Sequence, residues 1–220
     1  MNTSKTWRWV FCFTSLFLVT ADLINAQNQW QYQENKHYRV LPLADTSRIE
    51  NEQVEVLEVF AYSCNHCFNF ESHLDQYDKA KPSYVNFTRM PVIYSDAYKV
   101  HARIYYAAES LGKLESIHKE VFKAIHLDRK QLMNVNEIYP LFEKHGVSKS
   151  EFENSFRSFT VESKLSRAAR LTSKYKIRST PTLVINGKYT ANGTAVKTFE
   201  DMLAVTKELA QKEYMMSQNP

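Results

Sequence analysis

Two cysteines two residues apart, in Cys64-Asn65-His66-Cys67, are the side chains of this chain with the clearest capacity for chemistry. A pair at that spacing can interconvert a disulfide and two thiols, close a small structural loop, or supply half of a zinc site. A structural bridge would close a tiny loop and remove little unfolded-chain entropy. Zinc would need two further ligands. His66 and His73 lie nearby, but the sequence has no His-x3-5-His pair and no second Cys-x-x-Cys. Redox chemistry needs only the two thiols, so it has the fewest unmet requirements, and no metal ligands are assigned.

The segments around the pair predict how it is held. Val56 to Tyr62 reads as a central strand, with Leu57, Val59 and Ala61 on one face and Val56, Glu58, Phe60 and Tyr62 on the other. Glu58 shares its face with apolar neighbours, which predicts a buried carboxyl that tends to stay protonated and could exchange protons with a thiol lying close to it, a solvated strand-end glutamate being the other reading. Ser63 breaks the run. Phe68, Phe70, Leu74, Tyr77 and Asp78 then fit an amphipathic helix ending before Pro82. Cys64 is thereby placed at a helix N-terminus, where unpaired N–H groups and the positive end of the dipole favour a thiolate. His66, when protonated, adds a second positive charge. A thiol acidified in this way is a good leaving group, and its disulfide is oxidising.

Residues 1–26 carry Lys5 and Arg8, an apolar stretch from Val10 to about Val19, and the ending Ile24-Asn25-Ala26. This is the pattern of a cleaved secretory signal, with the cut expected after Ala26 and a second candidate site at Val19-Thr20-Ala21. A membrane anchor is the alternative, but the apolar stretch falls short of the roughly 20 residues needed to span a bilayer. Cleavage would remove Cys12 and leave Cys64 and Cys67 as the only cysteines, with no third thiol to compete for pairing. It would also take the balance from 28 cationic against 24 anionic side chains to 26 against 23. That mild and scattered excess gives no nucleic-acid footprint.

Further along, His37 to Leu41 reads as a short strand ended by Pro42, and Ala44 to Gln53 as a charged loop. Tyr84 to Tyr94 reads as a second strand whose pairing stops at Pro91, completing a βαβ unit with the cysteines at the C-terminal end of its first strand. Residues 96–176 have helical character throughout. One helix there is expected to start at an Asn136 cap with Pro140 in its first turn, another to run from Ser148 to Phe159, and a longer one from Val161 to Tyr175. Tyr105, Tyr106 and Phe122 are expected in that segment's core, with a peptide groove as the other reading. Ser179-Thr180-Pro181-Thr182 precedes Leu183 to Ile185, an Asn186-Gly187 turn and Lys188 to Ala191, a strong hairpin signal. On local grounds Pro181 can take either isomer. Thr198 to Met216 closes the chain as a helix.

Taken together, the Cys64-x-His66-Cys67 pattern after an acidic strand, the helical stretch, and Thr180-Pro181 ahead of a hairpin resemble the DsbA family of periplasmic thiol oxidases. The resemblance covers essentially everything after residue 26. It implies an α/β thioredoxin fold, built from residues 27–95 and 177–220, with an all-helical domain inserted at 96–176. It also implies that Pro181 is cis and faces the disulfide, that the Thr180 backbone pairs with an extended client, and that Glu58 lies beneath Cys67. Asn65 departs from the family's commonest Pro-His dipeptide, which leaves the redox potential unset by the resemblance. Threonine before the proline also occurs in some disulfide isomerases.

The activity so implied is a dithiol oxidase that donates its disulfide to unfolded, cysteine-containing exported proteins. It would be monomeric, reoxidised by a quinone-linked inner-membrane partner of the DsbB kind, and independent of organic or metal cofactors because the disulfide carries both electrons. Two alternatives stay open: an isomerase or reductase working with the pair reduced, and a thioredoxin-like chaperone or binding module whose thiols are incidental.

Overall fold

The computed structural model describes residues 30–42 and 53–218. The expected signal segment, Cys12 and most of the loop from Ala44 to Gln53 lie outside these residues. Strand β1 (Arg39–Val40) is followed by β2 (Val54–Phe60), helix α1 (Asn65–Ala80) and β3 (Val85–Pro91). Five helices come next: α2 (Asp96–Ser110), α3 (Leu114–His126), α4 (Val135–Glu143), α5 (Lys149–Phe156) and α6 (Phe159–Lys174). The hairpin β4 (Thr182–Ile185) and β5 (Tyr189–Thr190) and the final helix α7 (Phe199–Gln218) complete the order. The sheet runs β1-β5-β4-β2-β3, with β2 and β3 parallel and the other pairs antiparallel.

Strand β2 lies inside the sheet and is buried along nearly its whole length, as its two apolar faces require. One set of its side chains, Val54 and Val56, joins Leu183 and Ile185 of β4 against Phe70, Leu74 and Tyr77 of α1 and Leu203 and Leu209 of α7. The other set, Leu57 and Val59, joins Val184 in a second core completed by the five intervening helices. Tyr105, Tyr106 and Phe122 are buried in that second core, so the core reading of these rings holds. In the turn between β4 and β5, Asn186 and Gly187 both take positive φ, +51° and +61°, the geometry a two-residue hairpin demands. A Cβ at Gly187 would also lie 3.2 Å from the Tyr175 hydroxyl.

Three local expectations are corrected. The first strand shrinks to Arg39–Val40, held antiparallel to β5. Helix α4 is capped by Asn134, whose side chain accepts from the Glu137 N–H, and Pro140 therefore sits in the second turn rather than the first. Asn134 has a glutamate three residues on, the spacing of a reciprocal cap, which Asn136 lacks. Finally, Ser158 caps α6 by accepting from Val161 N–H, so Phe159 begins α6 instead of ending α5, and its ring is 87% exposed.

Candidate active site

The apolar run of β2 delivers the chain to the edge of the second core, and a tight turn through Tyr62 and Ser63 starts α1 with Cys64 as its N-cap. A cap side chain accepts from the first turn's free N–H groups. Here the Cys64 sulfur accepts from the Cys67 N–H at 3.3 Å, while its own thiol donates to the Thr180 carbonyl at 3.3 Å. Cys64 is partly buried, Cys67 fully so, and both thiols are free.

The two sulfurs differ sharply in acidity. The hydrogen bond from the Cys67 thiol lowers Cys64 most, against the opposing effect of burial, and with the Thr180 side chain and the N–H groups of Cys67 and His66 it brings Cys64 down to about 5. Burial pushes the Cys67 thiol well up, and its bond to Cys64 and the Glu58 charge add to the rise. An outer sulfur poised to be an anion and an inner one kept protonated is the asymmetry that thiol–disulfide exchange uses. His66 is exposed and acts on Cys64 through its backbone N–H. The Thr180–Pro181 peptide bond is cis, and this bend brings the Thr180 carbonyl to the sulfur.

Glu58 is 0% exposed, and its carboxyl is raised to about 8, chiefly by burial and then by the Glu71 charge, with Arg89 pulling the other way. The Cys64 charge adds to the rise of Glu58, and the Glu58 charge adds to the rise of Cys67. Arg89 was not singled out from the sequence. In the parallel register Glu58 lies directly opposite Arg89, whose Nε donates to Glu58 Oε2 at 3.2 Å. The guanidinium also lies 3.6 Å from Glu71 and 3.7 Å from Asp75. A signal for Glu71 and Asp75 was present: they follow Cys67 at intervals of four and so share its face of α1. Arg89 had no such signal, because its partner was set by strand register.

Helix α3 grips the same region from the other side. His126 Nε2 and the Tyr62 carbonyl are hydrogen-bonded at 2.8 Å, and the His126 ring stacks on Phe68 at 4.9 Å with 9° between planes. The structure thus brings Cys64, Cys67, Glu58, Thr180 and Pro181 into one locality, with His66 at its exposed rim.

A family model described as a DSBA-like thioredoxin domain matches residues 85–204, 120 of the chain's 220 residues, beginning downstream of both cysteines. Proteins named thiol:disulfide interchange protein DsbA align as well. That of Pseudomonas aeruginosa PAO1 is 31% identical over 161 residues, 73% of this chain and 76% of its own. That of Pseudomonas syringae pv. tomato is 31% identical over 201 residues, 90% of this chain and 94% of its own. The chain belongs to the DsbA family. Its structure superposes on the crystal structure of Pseudomonas aeruginosa DsbA with a TM-score of 0.79 and 29% identity, covering 86% of this chain and 97% of that one. For the oxidoreductase DsbA from Xylella fastidiosa the TM-score is 0.77, also at 29% identity, over 84% and 98% of the two chains. This member of the DsbA family is therefore a thiol:disulfide oxidoreductase with a thioredoxin-like fold and a helical insertion.

Proposed function

We propose that the protein is a dithiol oxidase that passes a Cys64–Cys67 disulfide to proteins newly exported to the periplasm. A client thiolate attacks Cys64, forming a mixed disulfide and expelling Cys67 as a thiolate that takes up a proton. The client's second thiolate then attacks its own sulfur in that bond and releases Cys64 as the leaving group. The client gains a disulfide, the enzyme holds two thiols, and two electrons have moved with no other cofactor. The observation that carries this reading is the acidity of Cys64, about 5, beside a buried and protonated Cys67. A stabilised leaving thiolate favours release of the client in oxidised form.

Glu58 is the proton partner of Cys67, His66 and the cap N–H groups stabilise Cys64, and the Thr180 backbone next to Pro181 receives the extended client as an added strand. Residues 27–95 with 177–220 form the thioredoxin-like part and 96–176 the inserted domain, behind a signal segment over 1–26. Reoxidation falls to a quinone-linked membrane protein of the DsbB kind.

Mixing the oxidised protein with a reduced dithiol peptide tests the scheme. Cys67→Ser preloaded at Cys64 as a mixed disulfide with thionitrobenzoate is expected to trap a one-cysteine form of the peptide on Cys64 with release of thionitrobenzoate, and Cys64→Ser to abolish disulfide transfer. A chaperone with incidental thiols would keep its full effect on unfolded clients in Cys64→Ser. A potential no more oxidising than a reducing thioredoxin would favour the reductase reading instead.

A further inference from the structure

Arg89, the hydrogen-bond partner of Glu58, lines a cavity of about 300 Å³ together with, among others, Glu71, Asp75, Tyr105, His118 and Lys119. His118 comes from α3, is only 4% exposed, and is packed edge-on against Phe60 and Phe122, with ring centroids 5.1 Å away in each case. Its Nδ1 is hydrogen-bonded to the Tyr62 hydroxyl at 2.8 Å. Its Nε2 lies 3.3 Å from Glu71 Oε2 without forming a hydrogen bond, and both Glu71 oxygens and Glu58 Oε1 are likewise buried without a hydrogen bond. Four buried polar atoms without a hydrogen bond on Glu58, Glu71 and His118 are costly unless water or shared protons satisfy them.

We propose that His118 is a positioning residue for the proton traffic of the redox reaction, passing protons through Glu71 and cavity water between Glu58 and solvent. The inference rests on the oxidase reading above and extends it. When Cys67 is expelled as a thiolate it takes the Glu58 proton, leaving a thiol and a buried carboxylate. His118 supplies a proton by way of Glu71 and water to restore the Glu58 acid, and regains its own from the cavity. During reoxidation the same path runs outward. The charged and titratable groups that face His118 and Glu71 are Glu58 of β2, Tyr62 beyond it, Asp75 of α1, Arg89 of β3, Tyr105 of α2, and Glu115 and Lys119 of α3. The Arg89 guanidinium, shared by Glu58, Glu71 and Asp75, couples the carboxylates, so a proton gained by one is felt by the others.

The test is single-turnover oxidation of a dithiol peptide by the full protein between pH 5 and 9, in H₂O and D₂O. His118→Phe keeps the ring packing without a proton, and Glu71→Gln removes the carboxylate. Each is expected to slow turnover about 10-fold, below the roughly 100-fold of a group that transfers the proton directly, because water bypasses part of the path. Each should also enlarge the solvent isotope effect and displace the pH profile, while the thiolate titration of Cys64 stays in place. Variants that fold and match the wild-type profile and isotope effect would overturn the proposal. If wild-type protein fails to donate a disulfide at all, it is the oxidase reading that has failed. His118→Asn separates folding from proton transfer: it retains a hydrogen-bonding group, and a wild-type pH profile in it would also count against the relay.

Discussion

At the scale of single residues, the decisive quantity is where each proton sits. The Cys64 thiolate is held by the Cys67 thiol and by N–H groups of the first helical turn, interactions that an isolated peptide would lose. Titration of thiolate absorbance in the reduced protein should therefore show a transition near pH 5, and a value near that of a free thiol, about 8.5, would contradict the geometry. Glu58 titrates the other way. Its folded acidity is weakened to about 8 by burial, so the acid form is favoured at low pH, and the fold loses stability as pH rises from the ordinary carboxyl range through 8. Glu58→Gln removes that titration. It is expected to raise the melting temperature relative to wild type more at pH 8.5 than at pH 4.5, and equal differences at both pH values would show that the carboxyl does not ionise on that path. The buried glutamate was legible from strand alternation with Val56 and Phe60. Its cation, Arg89, was not, because two residues 31 apart in sequence meet only when parallel strands pair in one register.

At the scale of elements, caps decide where helices begin. Asn134→Ala removes an acceptor for the Glu137 N–H and is expected to cost about 1 kcal/mol in urea unfolding. Pro140 lies in the second turn of α4, where its ring removes one helical hydrogen bond. Pro140→Ala should stabilise the protein by about 1 to 2 kcal/mol: the helix penalty of roughly 3 is partly offset by the added freedom of the unfolded chain. No change in the urea midpoint would mean that the local backbone already absorbs the proline. These two residues show how sequence placed a helix correctly yet shifted its start by one half-turn. Asn134 and Asn136 both carry capping chemistry, and what distinguishes them is that Asn134 accepts from the Glu137 N–H while the Glu137 carboxylate accepts from the Met133 N–H just before the helix.

At the scale of the whole molecule, folding and redox state are linked. The heightened acidity of Cys64 stabilises the reduced fold, fully so at pH above the ordinary thiol value, and that contribution is lost as pH falls through about 5. The reduced protein should therefore unfold at a higher temperature than the oxidised one at pH 7, with the gap closing toward pH 4; a gap independent of pH would sever acidity from oxidising power. Phe122 ties the helical segment to the end of β2, with its ring 4.9 Å from Tyr62 and 5.1 Å from His118. The sequence alone determined the pair of thiols, their place at a helix start, the buried carboxyl, the hairpin and the run of helices, because each follows from contacts within a few residues or from periodicity. Tertiary structure decided the rest: the cis bend that sets Thr180 against Cys64, the pairing of Glu58 with Arg89, and the meeting of His118 with Glu71. Those depend on register and on the packing of distant segments, which no local pattern of side chains encodes.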